Sequence, residues 1–325
     1  MEFRILKYAL VATLLLSCEK EIFVDLPPDP TKIVVEGQIE DGGLPILLLS
    51  ESQAFFQPVD VESVSKTIIN DAKVRMVINE GDTIPLRSFC SGDLPDTLRI
   101  ILARQSGLEF LANPESDICI YTSLDQRARG KINSRYELLI NARGQFIKSK
   151  TQIPPPVALD SLWYKKDGAR DSLGFIWATL SDPANKYNAY RWFAQRINQY
   201  TYGPNKGETK DPFPIAPFGS AFEDEFFDGL SFDFVYNRGT YPGSTKNDDQ
   251  DIEAGYFKEG DTILVKFTTI DESAFQYFRS YYTAIGNTGS PFATPTNIKT
   301  NVDGGLGVWV GYGVATDTLV AVDLE

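Results

Sequence analysis

The chain has 325 residues, and its 31 Lys and Arg against 44 Asp and Glu leave a net charge of −13 at neutral pH. So acidic a surface does not neutralise phosphates, which excludes nucleic acid as a partner class. Histidine is absent altogether, which removes Ser-His-Asp and Cys-His catalysis, the usual zinc sites and imidazole acid–base chemistry.

Residues 1–17 read as a leader. Arg4 and Lys7 supply a short positive start, and Tyr8 to Leu16 is apolar apart from Thr13. At roughly ten residues the run is half of the about 20 needed to span a bilayer and has the size of a signal-peptide core. It ends in Leu15-Leu16-Ser17-Cys18, which resembles a lipobox and marks Cys18 for lipidation and cleavage just before it. Two or more acyl chains anchor stably where one does not, so the expectation is a lipid-held membrane protein. Loss of Glu2, Arg4 and Lys7 with the leader makes the mature chain one unit more negative. The lipid, not a basic face, must therefore hold it to the membrane. Residues 18–31 are acidic and proline-rich and read as an extended tether. Glu19-Lys20-Glu21 resembles the acidic export tag of Bacteroidota surface lipoproteins, which points to the cell surface.

From Lys32 the pattern is strand-like. Ile33, Val35 and Ile39 share one face, and Leu44 to Ser50 is a second apolar run. Val74, Met76 and Ile78 lead into a turn at Asn79 to Asp82, and Tyr136, Leu138 and Ile140 into one at Ala142 to Gln145, both hairpin signals. Short strands between turns predict an Ig-like β-sandwich over 32–153, closed by the stiff Ile153-Pro154-Pro155-Pro156. Cys90 and Cys119, an even pair in an exported chain, read as a disulfide, with two free buried thiols as the alternative.

Residues 154–325 are expected to form a larger β-sandwich-like domain with one helix. Phe175 to Thr179 and Tyr190 to Ala194 flank Ser181-Asp182-Pro183 and read as a long hairpin. Ile263, Val265, Phe267 and Thr269 alternate as a strand. Asp271 is placed to cap a helix over 271–285, in which Phe275, Phe278, Tyr282 and Ile285 form one apolar stripe before Gly286. Thr201 to Ser220, Asn237 to Asp251 and Gly286 to Gly307 read as long loops.

Three constellations bear on chemistry. Asp249, Asp251 and Glu253 alternate as cation ligands do, but Ala254 takes the glycine position of an EF-hand loop and Gly260 its twelfth position. A solvated acidic loop is the better reading; Ca2+ is not indicated and no cofactor is expected. Glu223-Asp224-Glu225 and Asp228 offer carboxylates for a glycosidase-type pair, which needs a fixed separation. Gly304-Gly305-Leu306-Gly307 lacks the strand-to-helix setting of a phosphate loop and reads as a tight turn.

Several ordered segments carry a resemblance: Lys32-Ile33-Val34-Val35-Glu36-Gly37, Leu180-Ser181-Asp182-Pro183, Ser290-Pro291-Phe292-Ala293-Thr294-Pro295, and Asn301-Val302-Asp303-Gly304-Gly305. With the lipobox they make the chain similar to an uncharacterised family of Bacteroidota outer-membrane lipoproteins, a domain of unknown function often encoded beside TonB-dependent receptors. The resemblance implies location and company, with no catalytic residues to carry over. The resulting expectation is a non-enzymatic accessory protein that partners a TonB-dependent receptor, with Tyr241, Phe292, Trp309 and Tyr312 as the contact surface. A carboxylate-based surface hydrolase and a purely structural envelope protein are the competing readings.

Overall fold

A computed structural model describes residues 31–52, 66–106, 118–170, 172–203, 205–240, 253–288 and 296–323. The leader, Cys18, the tether up to residue 30, Tyr241, Asp249, Asp251 and Phe292 lie outside these. The fold is mainly β, as the alternating sequence pattern requires.

The first sandwich is built from β1 (Ile33–Glu40), β2 (Ile46–Glu51), β3 (Lys73–Ile78), β4 (Asp82–Cys90), β5 (Cys119–Thr122), β6 (Arg135–Ala142) and β7 (Gln145–Gln152). Both expected hairpins form. Asn79 and Glu80 turn β3 into β4, and Arg143 and Gly144 turn β6 into β7, all four at positive φ. That geometry matches the twist of paired strands. Ile33, Val35 and Ile39 point inward onto Met76, Leu138 and Ile140, each at most 1% exposed.

Cys90 and Cys119 sit opposite each other on β4 and β5 and are bonded, S–S 2.03 Å. The bond encloses α1 (Asp96–Ser106), a helix that sequence periodicity missed. Leu102 and Ala103 pack onto Leu44, Ile46 and Leu48 of the outer face, whereas Ile100 and Ile101 are exposed and break the apolar stripe.

The second sandwich sets β8 (Ser161–Lys166), β9 (Leu173–Ser181), β12 (Ser231–Tyr236) and β13 (Phe257–Lys258) against β10 (Ala189–Arg196), β11 (Ala221–Glu223) and β14 (Thr262–Ile270). Tyr190, Trp192, Ile176, Leu180 and Phe267 fill the space between them. Here the long-hairpin expectation is corrected. β9 pairs with β8, β12 and β13, and β10 with β11 and β14, so residues 182–188 arch from one sheet to the other. The inward face of β9 is Ile176, Ala178 and Leu180, which leaves Trp177 outside, stacked on Trp163 at 6.1 Å.

The boundary expected at 153/154 divides the residues of two hydrophobic cores, apart from Val302 and Trp309, which belong to the first. Residues 31–325 form one compact unit, because β16 (Leu306–Val320) serves both sandwiches. Its first half pairs parallel with β1, from Val34↔Leu306 to Glu40↔Tyr312. Its second half pairs antiparallel with β14, and β15 (Val302–Asp303) adds to β7. Trp309 lies over Gly37, where a Cβ would come within 2.6 Å of the indole, so only glycine leaves room for the ring. The helix expected at 271–285 is α2 (Glu272–Gly286), with Asp271 as its cap; it packs on the outer face of β10 and β16 through Phe275 and Phe278. No helix among the described residues is long and apolar enough to cross a membrane.

Candidate functional site

Where α2 crosses β1 and β16, the covering of the sheet is incomplete and leaves a cleft of about 260 Å³. One wall is the helix, which presents Tyr277, Phe278, Tyr281 and Tyr282; the floor is Val308, Val310 and Tyr312, and Glu36 stands at the side. Positions 277, 278, 281 and 282 share one helical face because they are spaced by three and four residues. Tyr277 and Tyr281 stack with centroids 5.9 Å apart and planes 11° apart.

Arg191 of β10 anchors the floor. Its guanidinium lies 3.8 Å from the centre of the Phe278 ring and 4.8 Å from that of Phe193, and Nη1 donates to the Tyr312 hydroxyl at 2.7 Å. Arg191 is thus held in place by ring faces and a phenol. Glu36 has no such partner: it makes no ion pair among the described residues. Glu36 is exposed at the mouth of the cleft, and desolvation by the neighbouring walls raises its pKa above the ordinary carboxylate value. Burial, followed by the charge of Glu36, pushes the Tyr277 hydroxyl up to about 12. The arrangement offers aromatic faces with the Glu36 carboxylate at one side and the Arg191 guanidinium in the floor, neither in an ion pair among the described residues, which suits a ring-bearing group with polar ends.

A larger cleft, of about 540 Å³, runs between β6, β7 and the start of α2. Its central polar group is already used. Asp271 Oδ1 accepts from Ala274 N at 2.9 Å and Ser273 Oγ at 2.7 Å, while Oδ2 accepts from Thr151 Oγ1 at 2.6 Å and Gln152 N at 3.1 Å. Glu137 and Lys150 face each other at 3.6 Å. This seam joins helix to sheet, and Asp271 at its centre is satisfied from within, so the smaller, aromatic-lined cleft is the better candidate despite its size.

The residues expected to form the contact surface fare differently. Trp309 is corrected: it is 0% exposed and its Nε1 donates to the Tyr136 carbonyl at 3.3 Å, in the first core. The reason is that side chains alternate along this stretch of β16: Trp309 falls on the face turned to the first core, over Gly37, whereas Val308, Val310 and Tyr312 fall on the face turned to the helix. Tyr312 is also buried, at 2% exposed, yet it forms part of the cleft floor. Sequence reasoning missed Glu36, Arg191, Tyr277 and Tyr281. The apolar stripe of the helix was legible, but not that its tyrosines would meet a strand more than 230 residues away.

Glu253 is corrected as a cation ligand. Its carboxylate is paired with Lys258 at 2.7 Å and lies 3.9 Å from Arg196, inside a buried ionic network. There Asp211, fully buried, takes a two-pronged contact from Arg196 at 2.8 and 3.0 Å and faces Arg238 at 3.6 Å. Lys210 closes on Asp261 at 2.5 Å. The network ties the loop after β10 to the second sandwich.

Of the carboxylates considered for hydrolysis, Glu223 is held by Arg279 of α2 at 2.9 Å. Asp224 turns inward and meets Asp228 and Asp182. Neither Asp224 nor Asp228 lines either cleft described above, so no substrate-sized opening reaches them there.

Comparison with known families places the chain. The model of a family described as a domain of unknown function, DUF4249, matches residues 19–318, and the chain belongs to that family. Comparison with curated proteins and with solved structures returned no match.

Proposed function

We propose that this DUF4249 protein is a lipid-anchored accessory protein of the outer membrane, facing the cell surface, which binds a TonB-dependent receptor, its ligand, or both. The observation that carries the binding role is the cleft of Tyr277, Tyr281 and Glu36, a built recognition surface whose carboxylate has no internal counter-ion. Support for the location comes from the lipobox-like Leu15-Leu16-Ser17-Cys18 and the acidic Glu19-Lys20-Glu21, with the family match beginning at residue 19. Tethering would do part of the work, since holding a weak binder beside its partner raises the effective concentration to the millimolar range with no new contacts.

Affinity capture of the tagged full chain from native membranes in mild detergent tests this. A TonB-dependent receptor is expected in stoichiometric amount, and Glu36→Gln with Tyr281→Ala is expected to reduce its recovery at least tenfold while the variant stays folded. Cys18→Ser should move the protein from the membrane to the soluble fraction. Recovery of the full chain without any receptor, or membrane attachment indifferent to Cys18→Ser, would overturn the reading.

A further inference from the structure

A cation stands in the floor of the aromatic cleft with no anion beside it. Arg191 lines the cleft, and its guanidinium is packed on the rings of Phe278 and Phe193. Nη1 donates to the Tyr312 hydroxyl at 2.7 Å, which uses one of its five N–H groups. No Asp or Glu pairs with it among the described residues. The groups near enough to act on its charge are the phenols of Tyr312 and Tyr282. Nε of Arg191 is buried with no hydrogen-bond partner, and the buried Tyr282 hydroxyl completes no well-formed hydrogen bond either. Ring faces attract a cation, but they accept no N–H bond in the plane of the guanidinium and carry no net charge. Burying a charge is costly unless it is paired, so the floor is short of one anion.

Glu36, the acid of the cleft, does not supply it. Glu36 lies opposite Val308 of β16, whereas Arg191 pairs with Thr268, which is itself opposite Val314. The two charges therefore start three strands and six strand positions apart, at opposite ends of the cleft. Between them stand the stacked rings of Tyr277 and Tyr281.

We infer that the cleft binds a small ring-bearing carboxylate, with the carboxylate on Arg191 and the ring against Tyr277 and Tyr281. The inference rests on the reading of this cleft as a recognition surface and names the ligand class it recognises. A guanidinium fork matches the two oxygens of a carboxylate, and the bonds are charge-assisted. One cation in the floor and one acid at the far end favour a singly charged group over a phosphate dianion. A volume of about 260 Å³ lies just below the about 300–1,000 Å³ of drug-sized pockets, which suits one ring on a short chain.

Calorimetric titration of the full chain in detergent with 3-phenylpropionate, and with 3-phenylpropionamide as its uncharged counterpart, tests the site. The acid is expected to saturate one site and to bind at least tenfold more tightly than the amide. Arg191→Gln should abolish that preference. Tyr281→Ala, at a position already 38% exposed, leaves Arg191 in place and should weaken acid and amide alike, at least threefold. If Arg191→Gln does not fold, the acid-to-amide ratio of the parent and the Tyr281→Ala result decide the matter. Binding of neither compound, equal binding of both, a preference for the acid that survives Arg191→Gln, or an acid affinity unmoved by Tyr281→Ala would overturn the inference. Receptor capture by the same parent chain separates the two readings. A receptor recovered with no acid bound sinks the ligand assignment alone, whereas acid bound with no receptor recovered sinks the receptor partnership and leaves the ligand assignment standing.

Discussion

At the scale of single residues, Asp211 has the sharpest consequence. It is fully buried and is the counter-ion of Arg196 and Arg238, themselves at most 1% exposed. Arg238 is the weaker partner: burial, then the nearby Arg196, lowers its pKa from the ordinary guanidinium value. Replacing Asp211 by Asn keeps the shape and removes the charge that both buried guanidinium groups share, which leaves Arg196 with the longer contact to Glu253 at 3.9 Å. Breaking one side of such a pair costs about 3–5 kcal/mol. We expect Asp211→Asn to lose stability in that range in urea denaturation and Arg238→Met to lose clearly less, because the Arg196–Asp211 pair survives it. Equal losses would show that the network is not organised around Asp211. Little of this was legible beforehand: residues 196, 211, 238, 253 and 261 show no pattern in sequence, since the fold joins them across loops, whereas the alternating core positions of β1, β3 and β6 follow from a local period of two.

At the scale of elements, α2 shows what a local signal conveys and what it omits. Its cap, its stripe and its length follow from Asp271, Phe275, Phe278 and Tyr282 within one stretch of chain. The structure adds that the cap is also a bolt. Beyond Ala274 N, Asp271 binds Thr151 Oγ1 and Gln152 N of β7, so one carboxylate orders the first turn and fixes the helix on the first sandwich. Loss of a cap costs about 0.5–2 kcal/mol, and a buried donor left unpaired about 1–3 kcal/mol. Asp271→Ala should therefore cost about 2–4 kcal/mol in thermal or chemical denaturation and speed hydrogen exchange at both Ala274 and Gln152. Asp271→Asn, which keeps an acceptor, should cost less. Faster exchange at Ala274 alone would mean that the docking bonds contribute nothing. α1, by contrast, was hidden because the inward Leu98, Leu102 and Ala103 are interrupted by the exposed Ile100 and Ile101, which blur the helical period.

At the scale of the whole molecule, β16 decides whether the two sandwiches are separate. The proline run after Ile153 looked like a domain boundary because stiffness is local, while the strand that bridges it lies some 150 residues further on. Val302 and Trp309 belong to the first core, Leu319 and Ala321 to the second, and no cut between residues 153 and 302 leaves the first sandwich whole. A fragment of 31–153 would lack the parallel partner of β1, leaving its backbone groups unpaired over seven register positions, and would lose the indole that fills the space over Gly37. Deleting a fully buried large aromatic alone costs about 3–5 kcal/mol, against a total stability of about 5–15 kcal/mol for a domain. We expect that fragment to be unfolded or aggregated, and to gain protection from hydrogen exchange only when a peptide spanning 302–314 is supplied. The intact chain should unfold in one calorimetric transition, with the enthalpy from the transition's shape equal to the heat absorbed. Trp309→Ala should then lower the midpoint seen by probes in both sandwiches, because the strand that carries the lesson of the first core is also the strand on which β14 pairs. Two separable transitions, with the second sandwich unmoved by Trp309→Ala, would show instead that β16 is a hinge between independent domains.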